Sequence, residues 1–86
     1  MSDEHKKVRV ERVQLGVRME KRLVKVLKAM AELHDMTLGD LLEGIVLHAL
    51  EGTSPFSPEN IEKINQLKEI YGLDYDSSAG HNFTEE

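Results

Sequence analysis

"RVQLGVRM", residues 12–19, carries two patterns in eight positions. Val13, Leu15, Val17 and Met19 alternate with Arg12, Gln14, Gly16 and Arg18. This is the period-2 order of a strand with one apolar face and one polar face. A strand needs partners for its backbone N–H and C=O groups. No second stretch downstream alternates in the same way, so the partner has to be sought outside this region of the chain.

Working outward, the period changes after Met19. Leu23, Val26, Leu27, Met30, Leu33 and His34 recur at helical spacing and predict a first helix over about 20–34, with Glu20 in its first turn. Thr37 reads as an N-cap, with Asp40 three residues on in the manner of a capping box. Leu38, Leu41, Leu42, Ile45, Val46, Ala49 and Leu50 form the next stripe, and Gly52 is placed to end it, so a second helix is expected over about 38–51. Gly44 lies inside that helix, either because another backbone approaches there or as a tolerated exposed residue. "GTSPFSPEN" is a loop. Ser57 then reads as an N-cap and Pro58 as the first residue of a third helix reaching about Tyr71. In the other direction, Val8 and Val10 alternate out of phase with Val13 to Met19, so residues 1–11 read as a basic flexible arm. Residues 73–86 are acidic and polar, a composition that predicts a largely disordered tail.

Composition narrows the function. The chain has 86 residues, enough for one small domain, with 40% hydrophobic and 31% charged residues and no Trp, so its core is aliphatic. Cysteine is absent, which excludes disulfides, thiol catalysis and thiolate metal sites and suits a cytoplasmic setting. No apolar run approaches a membrane span, and the polar start does not resemble a secretory signal. Net charge is −5, which taken globally argues against a nucleic-acid partner. The distribution points elsewhere: residues 1–22 carry seven basic and four acidic side chains, whereas residues 53–86 carry two and seven. His5, His34, His48 and His81 show no metal-ligand spacing, and His34-Asp35 has no nucleophile beside it, so neither a metal, a cofactor nor an enzymatic activity is expected.

One strand and two helices cannot close a sheet within one chain, and residues 12–52 are near the ~40-residue size at which a lone core becomes inadequate. An obligate homodimer meets both needs. Two strands would pair antiparallel across a two-fold axis, with Val13, Leu15, Val17, Met19, Leu42, Ile45 and Val46 in the shared core. The expected fold is mainly α with one short strand per chain, in an intermolecular two-stranded ribbon, plus a C-terminal helix.

The order strand, helix, helix in "VQLGVRMEKRLVKVLKAMAELHDMTLGDLLEGIVLHAL" resembles the ribbon-helix-helix superfamily of DNA-binding proteins, to which Arc and the methionine repressor belong. The resemblance covers about Arg12 to Leu50. It implies a dimer that reads the major groove of double-stranded DNA with the outward side chains of its ribbon, here Arg12, Gln14, Gly16 and Arg18. Arg18 would pair with guanine and Gln14 with adenine, whereas Gly16 offers no side chain and would lie near the dyad. The resemblance also implies phosphate contacts at the start of the second helix, Thr37, Leu38 and Gly39, to which Lys6, Lys7 and Arg9 of the arm would add. Asp35 stands where the family often has a turn glycine, and Asp40 and the acidic C-terminal half would repel phosphate. The function implied is a transcriptional repressor or regulator. Residues 53–86 leave open an antitoxin that grips a protein partner, and Gly16 with the net charge leaves open a dimeric interaction module without DNA binding.

Overall fold

The computed structural model describes residues 7–85. Three helices make up its body: α1 (Lys21–Leu33), α2 (Leu38–Leu50) and α3 (Pro58–Tyr71), followed by a single 3-10 turn at Ser77–Ala79. α1 lies between the other two and packs against both.

Each helix begins on a side-chain cap. The Glu20 carboxylate accepts the Leu23 N–H at 3.2 Å, Thr37 Oγ1 accepts the Asp40 N–H at 3.1 Å, and Ser57 Oγ accepts the Asn60 N–H at 3.2 Å. Glu20 is therefore the cap of α1 and lies outside its first turn. Each helix also ends on a left-handed residue, at Asp35 (φ 54°), Gly52 (φ 76°) and Gly72 (φ 70°). The next residue's N–H reaches back to the helix: Met36 to Ala31 O at 3.0 Å, Thr53 to His48 O at 2.9 Å, Leu73 to Lys68 O at 2.8 Å. Asp35 takes the position that glycine takes in the other two, which a short polar side chain tolerates better than most.

The core is small. Met30, Ala31 and Leu41 are buried together, with Leu27, Ile45, Phe56, Ile64 and Leu67 packed around them. Val26 and Leu73 are buried as well. Of the α3 stripe, Ile64 and Leu67 face this core, whereas Ile61, Ile70 and Tyr71 are exposed.

The expected ribbon fold is corrected at its first element. Among the described residues there is no strand and no sheet; residues 7–20 run without turn, bend or bridge, and the architecture is three helices with an irregular N-terminal segment. The physical reason is the one the alternation itself raises. A helix satisfies its backbone within its own segment, but a strand does not, and among the described residues nothing pairs with residues 12–19 to complete a ladder. Val13 and Leu15 are 85% and 77% exposed.

The acidic C-terminal segment carries local contacts among the described residues. Leu73 is buried, Tyr75 packs edge-on against Phe83 with ring centroids 5.1 Å apart, and the 3-10 turn is capped by Asp76. Two aromatic rings and a leucine anchor a stretch whose charge alone predicts none of this.

Candidate nucleic-acid interface

The residues expected to touch DNA lie mainly on the irregular segment. Lys7, Arg9, Arg12, Gln14, Gly16 and Arg18 are all exposed; Lys6 lies outside the described residues. Gly16 has open space around it, with nothing within 4 Å of where a Cβ would sit. Thr37 and Gly39 are exposed at the start of α2, and Leu38 is half-buried.

Arg12 brings these two groups together. Its guanidinium donates to Glu43 of α2 through two nitrogens, Nε to Oε2 at 3.2 Å and Nη2 to Oε1 at 3.0 Å. This fork-to-fork pairing is the geometry that guanidinium also uses for phosphate and guanine. Hydrogen bonds from Arg12, then its charge, lower the Glu43 carboxyl pKa; the Arg12 pKa is raised by the same pair, and Asp40 adds to it. The segment is thereby tied beside the first two turns of α2, where free backbone N–H groups and the helix dipole favour an anion. Asp40 and Glu43 work against that preference.

Arg18 extends into solvent. Among the described residues its one carboxylate contact is with Glu85, at 3.5 Å between side chains 92% and 82% exposed, a weak pair that salt screens readily.

Behind the segment, Arg22 joins the two ends of the chain. Its Nε donates to Glu20 at 3.1 Å, its Nη1 donates to Gly72 O at 2.8 Å and to Asp74 at 3.1 Å, and its guanidinium carbon sits 5.6 Å from the Tyr75 ring centre. The Tyr75 hydroxyl donates to the same Glu20 at 3.1 Å. Burial alone would raise the Glu20 pKa; hydrogen bonds from the Arg22 backbone and side chain, the Leu23 N–H and Tyr75 outweigh it and hold the carboxyl at about 2. Burial and then Glu20 raise the Tyr75 hydroxyl. Glu43, Glu85 and this cluster were invisible to sequence reasoning. Their partners lie 31 to 67 positions away, and no local spacing signals them. Only Glu20, an acid directly before an apolar helical stripe, offers a hint as a cap.

The residues expected in a dimer core divide. Leu42 and Ile45 are half-buried, Ile45 against the single chain's own core, whereas Val13, Leu15, Val17, Met19 and Val46 are exposed. Leu47 and Leu50 extend the exposed face of α2, and Leu33 and Met36 lie exposed near the turn between α1 and α2. Among the described residues no group of His, Asp or Glu side chains could hold a metal ion, and no helix is long and apolar enough to cross a membrane. Comparison with protein-family models, curated proteins and solved structures gives no match to the chain.

Proposed function

We propose that the protein is a dimeric DNA-binding regulator of transcription whose irregular N-terminal segment, residues 7–18, contacts the duplex. The observation that carries this reading is the exposure of that segment. It is basic and offers Arg12, Gln14 and Arg18 without burying any of them. Arg18 can give two hydrogen bonds to guanine and Gln14 two to adenine, and each such pair discriminates by about 1–3 kcal/mol. Arg12 is held on α2 at Glu43, and the start of the same helix at Thr37–Gly39 supplies N–H groups for a phosphate.

Dimerisation rests on apolar surface that one chain leaves uncovered. Val13, Leu15 and Val17 on the segment and Val46, Leu47 and Leu50 on α2 are all exposed, apolar surface of the kind that marks an interaction site where it is gathered into a patch. The radius of gyration, 15.1 Å, exceeds the roughly 12 Å of a compact chain of this length. A second copy covering these residues gives the small core the burial it lacks.

A second reading has one observation in its favour. Arg12, Arg18 and Arg22 each meet a carboxylate of the same chain, as in an interaction module whose arginines serve structure. Arg18→Ala separates the two. For a DNA reader it abolishes specific binding to the protein's upstream DNA, in a gel-shift assay at low salt, while sedimentation still shows a dimer near twice 9.8 kDa. Unchanged DNA binding in the variant would take base reading away from Arg18, and no DNA binding by the unaltered protein favours the interaction module.

A further inference from the structure

We propose that the acidic C-terminal segment, residues 74–85, is an autoinhibitory strap that lies against the basic N-terminal side of the molecule and that a DNA duplex has to displace. This rests on the DNA-binding reading above.

The strap has a fixed root and a loose end. At the root, Leu73 is buried, Tyr75 hydrogen-bonds Glu20, and Asp74 and Gly72 O hold Arg22. The 3-10 turn at Ser77–Ala79 and the Tyr75–Phe83 contact then fold the segment back toward the start of α1. At the far end Glu85 meets Arg18 at 3.5 Å with both side chains almost wholly in solvent. The root sets where the carboxylates sit, and the end is weak enough to be exchanged.

The charge distribution gives the contact its direction. Residues 53–86 carry seven acids and two bases, and residues 1–22 seven bases and four acids. Asp74 and Glu85 hold the guanidinium groups of Arg22 and Arg18, and a DNA duplex is a far denser polyanion than either carboxylate. Displacing the strap removes two exposed ion pairs from the free protein, so it lowers affinity at low salt and matters less as salt screens it. A tethered carboxylate also competes at an effective concentration that a free anion does not reach.

The test compares two doubly neutralised full-length proteins with the same net charge. Asp74→Asn with Glu85→Gln removes the strap's contacts. Glu32→Gln with Glu62→Gln removes two exposed acids that pair with no arginine among the described residues. Binding to a random-sequence duplex is measured at low and high salt. The strap predicts that the first variant binds roughly 3- to 10-fold tighter than the second at low salt, the scale of two exposed ion pairs, and that the gap closes at high salt. Equal affinities overturn the strap while leaving the DNA reading intact. A readout without DNA runs in parallel: Arg18 Nε–H and the amides of Val17 to Met19 should shift in the NMR spectrum of the first variant and not of the second. Shifts with no DNA binding by any form would show the contact and defeat both autoinhibition and the DNA reading. No shifts would defeat the strap.

Discussion

Helix α1 and the segment leading into it are built from similar materials and end differently. Both alternate apolar with basic residues: Leu23, Val26, Leu27 and Met30 among lysines and an arginine, Val13, Leu15 and Val17 among arginines. Met30 is 1% exposed, and Val13 85%. The helix closes its own backbone hydrogen bonds and can then turn one stripe onto α2 and α3. The segment cannot close its backbone alone, and in one chain its apolar face has nothing to lie on. A pattern of apolar residues states which side is to be covered; the element type decides whether the same chain can cover it.

The sharpest way to break this contrast is a matched pair of truncations. Met30→Ala should cost about 2–5 kcal/mol in chemical denaturation at any protein concentration, because it empties the centre of the core. Leu15 is 77% exposed in the single chain, so Leu15→Ala removes little burial there; the larger part of any destabilisation belongs to a second copy and should fade as the protein is diluted. A concentration-independent loss at Leu15 would place its packing inside one chain and contradict the comparison.

A smaller effect separates the faces of α2. Gly44 has no atom within 4 Å of where a Cβ would sit, so Gly44→Ala should raise stability by about 0.5–1 kcal/mol. If the thermal midpoint rises while sedimentation shows the dimer weakening, a partner backbone approaches at Gly44. If both rise or hold, the dimer lies elsewhere on the helix.

The smallest effect is a slope in pH. Glu20 is held at about 2 in the folded protein against an ordinary value of 4.5. The unfolded chain therefore binds more protons between those values. Glu20's contribution is complete above about 4.5 and is lost as pH falls toward 2. Glu20→Gln should flatten that part of the acid-denaturation profile while leaving neutral-pH unfolding cooperative. An unchanged acid slope would mean that Arg22 and Tyr75 do not hold this carboxylate in solution.

These contrasts also show which features the residues announce. Helix starts at Thr37 and Ser57 and the ends at Gly52 and Gly72 are local, written in one residue type within four positions of the helix they bound, and so they are readable. The strand at 12–19 was misread because alternation reports one-sided exposure, and hydrogen-bonded pairing is a second condition that alternation does not contain. In the C-terminal segment the charge dominates the composition, and the few apolar side chains, Leu73, Tyr75 and Phe83, find their neighbours only through the fold. For the candidate interface, the exposed basic side chains were visible in the alternation, whereas the carboxylates that meet them, Glu43, Asp74 and Glu85, depend on how the chain folds back.

The central claim is that residues 7–18, together with the start of α2, are a DNA-contacting surface. Titrating the labelled full-length protein with its upstream duplex at low salt, and following every backbone amide by NMR, tests it most directly. The account predicts that the perturbed amides fall on residues 7–19 and on Thr37, Leu38 and Gly39, with α3 changed least. Perturbations centred on α3, or a spectrum that the duplex leaves unchanged, would contradict it.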